Sequence, residues 1–308
     1  MTRKIEKSLE KIPILNWLVI LGKKIKIPGL EGMSLYDIIE MYVIGIVKGA
    51  LTSRAGGIAF SFFMALFPFI LFILTLIPYV PIEGFQEDFL VMIEQLLPPN
   101  TAETVHDVIE DIANTRYSGL LSFGFIASIF LMTNGVNAIL GGFEYSYHVT
   151  EMRSIIRQYF ISMIMSIMLS LILVVTVAIT LYFEIGINDL KAKGWLEDDV
   201  FWIEKGQFLF FVLLIFISVS LLYKYGTKEV KYFSFFTPGS ILTTLLTILM
   251  FKLFSIYVLK FATYNQLYGS IGTLLVLMLF VWFNSIILLL GFELNASISR
   301  LRRLHIKE

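Results

Sequence analysis

Six stretches of this sequence are apolar and about long enough to cross a lipid bilayer, and only two charged residues, Lys252 and Glu293, fall inside all six. They cover residues 57–80, 120–143, 158–183, 207–223, 233–259 and 269–298. A membrane-spanning helix needs roughly 20 predominantly apolar residues, and each run meets or approaches that. The expected fold is therefore all-α: a polytopic membrane protein with six transmembrane helices and amphipathic interfacial helices. Charged residues make up only 16% of the chain, where a soluble domain carries about a quarter.

The connections set the orientation. The N-terminal arm, the second and fourth loops and the C-terminal tail hold 18 Lys/Arg against 9 Asp/Glu. The other three loops hold 5 Lys/Arg against 14 Asp/Glu. A basic excess marks the cytoplasmic side, so both termini are expected there, as an even number of crossings requires. The chain divides into a cytoplasmic arm (1–54), a six-span domain (55–299) with an outer helical loop at 81–119, and a basic tail (300–308). No cleavable leader is expected: the apolar run 12–21 is short, with no small-residue cleavage site after it, and reads as an interfacial helix. An amphipathic helix over 35–51 is expected to run along the inner surface into the first span. In the outer loop, Phe85, Phe89, Met92, Ile93 and Leu96 recur at helical spacing up to Pro98 and Pro99. Asn100 with Glu103 reads as a capping box for a second amphipathic helix, and both helices carry acidic faces.

The candidate polar site comes from the few polar groups within the spans. An ionisable group in a span is costly, so it tends to be paired or functional. Position 293 lies about 36 Å along the helix from Gly269 at 1.5 Å per residue, near the inner headgroups. Arg54 begins the first span at similar depth, so an Arg54–Glu293 ion pair is expected. Asn134, Asn137 and Gly141 share one face of the second span, and Asn284, Gly291 and Asn295 one face of the sixth. These amides are read either as hydrogen-bonding glue between helices or as the lining of an inward-opening cavity. That cavity would be bordered by the first, second and sixth spans, with Glu293 at its mouth. Pro68 removes a donor in mid-span and is expected to kink the first span. Ser162, Ser166 and Ser170 form a stripe suited to close helix packing.

Three further runs carry a resemblance. The first, from Arg54 to Pro68, reads RAGGIAFSFFMALFP; Pro238-Gly239 opens the fifth span. Tyr264 to Gly272 reads YNQLYGSIG, and Gly291 to Ala296 reads GFELNA. In these the chain resembles the YihY/BrkB family of bacterial inner-membrane proteins, over nearly all its length after the arm. The resemblance implies six spans, both ends cytoplasmic and an inner-membrane location. The family has been labelled a tRNA-processing ribonuclease, regarded as a misassignment, and a virulence factor, with suggestions of transport or lipid handling.

The residues themselves give little sign of catalysis. His106, His148 and His305 are scattered among an outer loop, an inner loop and the tail. No Walker loop, G-x-S-x-G or dinucleotide fingerprint appears. The expectation is a non-enzymatic protein without catalytic residues, metal or cofactor. Its expected partners are the lipid bilayer and copies of itself or other membrane proteins, with no nucleic acid. Two functions remain: a permease-like transporter of an ion, lipid or other amphiphile, and a non-transporting protein that organises partners.

Overall fold

The computed structural model describes residues 24, 34–76, 118–193, 199–228, 235–261 and 270–305. Seven α-helices of these residues carry the architecture: α1 (Leu35–Lys48), α2 (Leu51–Leu76), α3 (Ser118–Glu144), α4 (Ile155–Ala192), α5 (Asp199–Tyr225), α6 (Pro238–Phe261) and α7 (Ser270–His305). Helices α3 to α7 each contain a stretch long and apolar enough to cross a membrane. A sixth crossing results if α1 and α2 are one span bent by 62°. The protein is thus an all-α polytopic membrane protein. The outer loop 81–119 lies outside the described residues save for the start of α3, and so do Tyr264, Asn265 and Tyr268.

Local chemistry explains where α1 begins and ends. Ser34 Oγ accepts from the Asp37 N–H at 3.3 Å, and Asp37 Oδ2 accepts from the Ser34 N–H at 2.8 Å. This reciprocal capping box satisfies donors that a helix start leaves free. The helix ends at Gly49, followed by Ala50 with φ of 47°, a left-handed conformation uncommon for a residue with a Cβ. A bend of 62° separates α1 from α2 at this junction. Helix α2 runs as one element from Leu51 to Leu76 through Pro68.

The spans close a ring in chain order: α2 packs on α3, α3 on α4, α4 on α5, α5 on α6, α6 on α7, and α7 returns to α2. Ile38 of α1 and Leu301 of α7 share one apolar cluster, so both described chain ends lie at one end of the ring. The main core sits toward that end too. Phe143 stacks on Phe292 at 4.3 Å, and Tyr223 meets both rings edge-on. Tyr223 Oη lies 2.6 Å from Thr243 Oγ1 and donates to Leu288 O at 2.7 Å.

Lipid tails are as apolar as leucine, so helices in a membrane associate through close packing and hydrogen bonds. The α6–α7 crossing shows both devices. Gly239 and Gly291 meet backbone to backbone where any Cβ would collide. Asn295 Oδ1 accepts from the Gly239 N–H at 2.8 Å, while its Nδ2 donates to Thr237 Oγ1 at 2.9 Å. Asn295 thereby caps the start of α6 from a neighbouring helix. The serine stripe packs α4 on α3: Ser162 Oγ donates to Asn137 Oδ1 at 3.3 Å, and Ser166 Oγ lies 3.4 Å from Thr133 Oγ1.

Candidate functional site: a sealed ionic network and an open cleft

The ion pair expected between Arg54 and Glu293 is formed. Arg54 Nη2 donates to Glu293 Oε1 at 2.6 Å, with the two side chains 7% and 0% exposed. Arg54 Nη1 also donates to Gly142 O at 2.7 Å. The second carboxylate oxygen of Glu293 accepts from Ser146 Oγ at 2.8 Å. Both oxygens are therefore engaged, and a charge that would be expensive alone is compensated on each side.

The network continues into the turn after α3. The His148 N–H donates to Ser146 Oγ at 3.3 Å. Its ring is fully buried, with Nε2 2.9 Å from Met41 O and Nδ1 3.4 Å from Arg300 Nη1. A carbonyl only accepts and a guanidinium only donates, so the ring is neutral, with its proton on Nε2. Burial is the main cause that lowers its pKa. The Met41 carbonyl and Glu293 oppose that shift, and Arg300 and Arg303 reinforce it. Two glycines one helical turn apart let α1 lie over these groups. A Cβ at Gly45 would sit 2.6 Å from His148 Nε2 and 2.7 Å from Glu293 Oε2, and one at Gly49 would sit 2.8 Å from Arg54 Nη2.

A second ionic pair lies beside it. Arg153 Nε is 3.9 Å from Glu144 Oε1, with both side chains almost fully buried. Arg153 Nη2 donates to Tyr225 O at 2.9 Å and to Thr227 O, tying the turn after α3 to the end of α5. With its amide nitrogen turned toward Glu144, Gln158 donates to Oε2 at 3.0 Å. Sequence reasoning missed this pair because both residues fall outside the apolar runs. The available signal was an isolated acid ending one span and an arginine opening the next.

Next to the sealed groups is an open cleft of about 440 Å³ between α2, α3 and α4. Arg54, Gly57 and Ser61 of α2 face Asn137 and Gly141 of α3 across it, and Gln158 of α4 joins them. Ile58, Ala138 and Ile155 give it an apolar side. Arg54 Nε is buried and finds no hydrogen-bond partner among the described groups. A Cβ built on Gly57 meets nothing within 4 Å, so packing within the described chain does not require a glycine there.

The structure thus divides the expected polar site. Arg54 and Glu293 pair, and Arg54 and Asn137 border the cleft. Asn134 is half-buried one turn away on α3 and is not among the cleft residues. Asn295 caps α6, and Glu293 is sealed within the network. The cavity expected against the sixth span lies against the third, because the α2–α7 contact is filled by Ala55, Leu289 and Phe292. Pro68 lies within α2, beyond the residues of that helix whose side chains are described.

Comparison with known proteins agrees with this architecture. The family described as virulence factor BrkB matches residues 45–307. A ribonuclease-like protein of Bacillus subtilis (strain 168), YfkH, is 33% identical over 265 residues, covering 82% of this chain and 91% of that protein. The UPF0761 membrane protein PSHAa0171 of Pseudoalteromonas translucida (strain TAC 125) is 24% identical over 269 residues, covering 84% of each chain. No solved structure matches. On the extent of these matches, and with a bundle of membrane-crossing helices beneath them, the chain belongs to the BrkB family of membrane proteins.

Proposed function

We propose that this protein is permease-like and takes up an amphiphile through the cleft between α2, α3 and α4. The cleft is the observation that carries the reading. It combines apolar walls with a few convergent polar groups, the usual make-up of a small-molecule site. We propose further that the basic end, where both described chain ends lie, faces the cytoplasm and that the membrane is the bacterial inner membrane. The alternation of loop charge supports that orientation.

A second reading is a non-transporting protein that organises partners. It draws on Glu293 and Asn295, whose polar atoms are spent on internal bonds. The nuclease activity suggested by one relative's name has no support in these residues: Glu144 and Glu293 are each engaged by an arginine.

Liposomes containing the purified protein and an NBD-labelled glucosylceramide test the proposal through dithionite quenching of the outer leaflet. Protein-containing liposomes are expected to expose inner-leaflet probe faster than empty ones. Gly57→Leu, which places a side chain in the open cleft, is expected to abolish the gain while the protein stays folded. Equal rates with and without protein would favour the organising role.

A further inference from the structure

We infer that the occupant of the cleft carries an uncharged, hydroxyl-bearing headgroup on an apolar chain, and that ions and ionic headgroups are excluded. The inference rests on the permease-like reading and names the chemistry of that same site.

The charge balance of the cleft decides the class. Its cation, Arg54, already faces Glu293 at 2.6 Å and is buried with it. Behind Gln158 stand Glu144 and Arg153, again one acid with one base. Neither sign of charge is left over to replace the water an ion would lose on entry. The remaining polar groups at the cleft are neutral. Ser61, Asn137 and Gln158 each carry both a donor and an acceptor. A hydroxyl also does both, so a polyol or glycoside head matches such a lining. Arg54, which borders the cleft, keeps one buried Nε–H without an acceptor among the described groups, so it adds a donor and no free charge to the site. Ile58, Ala138 and Ile155 offer the apolar tail a wall. The open space at Gly57 lets a head group approach the α2 backbone where any side chain would intervene.

The test uses the full chain in nanodiscs and calorimetric titration below the micellar range. Three probes share an octyl tail: octyl glucoside, octyl phosphate and octyltrimethylammonium. Partitioning into lipid is removed by subtracting the same titration on Gly57→Leu, with Ser61→Leu as a second blocking variant. Saturable binding of octyl glucoside to the wild type alone is expected. Asn137→Leu should weaken it by about tenfold, the loss of one hydrogen-bonding side chain, in protein whose melting temperature shows it folded. Binding of octyl phosphate or octyltrimethylammonium as tight as the glucoside would overturn the inference. So would saturable binding that survives both blocking variants, or no saturable binding at all. Glucoside binding without lipid flux in liposomes would leave the headgroup assignment standing and remove transport.

Discussion

The sealed network and the open cleft lie side by side, share Arg54 and are built partly from the same helices, yet they treat polar groups in opposite ways. In the network, α1 lies over the buried groups, and both oxygens of Glu293 and both ring nitrogens of His148 have partners. Only a few residues away no described element covers the cleft face of α2, and Gly57 borders open space. The same contrast appears in the glycines: Gly45 is required by what lies above it, whereas nothing in the described chain requires Gly57. Where polar groups are closed off and mutually satisfied, stability is the natural readout. Where they face a void, it is binding.

The largest effect should come from breaking the ion pair. Glu293→Gln leaves the Arg54 guanidinium buried without its counter-charge, a loss of about 3–5 kcal/mol. Melting of the purified protein in detergent should show it as a large drop. The double change Arg54→Met with Glu293→Gln should recover much of the loss, because no lone charge remains. A double variant no more stable than Glu293→Gln would mean that Glu293 supports the fold by something other than this pairing. Next in size is Gly45→Ala. Its Cβ would lie within 2.7 Å of both His148 and Glu293, and overpacking of this kind costs about 1–3 kcal/mol. A neutral result would show that α1 is not held down on the network.

How much of this was legible depended on chain separation. The spans were readable because a run of about 20 apolar residues is a local property. The Arg54–Glu293 pair was readable because depth in the bilayer is set by counting along each helix, and a lone carboxylate in a span calls for a partner. Which helices are neighbours has no such local signature. The cavity was accordingly assigned to the first, second and sixth spans, whereas the α2–α7 contact is packed and the cleft opens between α2 and α3 with α4, the third span, at its edge. For Asn295 the sequence leaves glue and cavity lining both open, and the glue reading holds; what decides it are Thr237 and Gly239, which lie 58 and 56 positions away. The Glu144–Arg153 pair and the burial of His148 arise from a turn folding back between helix ends, which hydropathy does not register. The bend at Gly49 and Ala50 falls where the amphipathic helix over 35–51 meets the first span, and the glycine there is a local signal for it.

The network should also set the acid limit of stability. The His148 pKa is lowered in the folded protein, so its neutral form is the one that folding favours. That contribution is complete above the unfolded value near 6.5 and is lost as pH falls below it, when the unfolded chain takes up the proton more readily. Protonation would also turn Nδ1 into a donor facing Arg300, itself a donor. Melting temperature should therefore hold steady above about pH 7 and decline from about pH 6.5 downward. His148→Gln, which retains a donor and an acceptor without titrating, should flatten that first part of the decline. An unchanged slope would assign the acid sensitivity to other groups.

The smallest effect separates the two regions most cleanly, because it has the opposite sign. Glycine within a helix is less stable than alanine by roughly 0.5–1 kcal/mol, since the unfolded chain has more freedom to lose. At Gly57 a methyl group meets no atom within 4 Å, so Gly57→Ala should raise stability by about that amount, where Gly45→Ala lowers it. Stability alone would then leave no reason for glycine at this position. If Gly57→Ala is the more stable protein but takes up octyl glucoside less tightly, the glycine serves the occupant of the cleft. If instead Gly57→Ala is less stable than the wild type, a neighbour must lie against α2 in the folded protein. The cleft would then be a docking seam for another helix, and the contrast between the two regions would disappear.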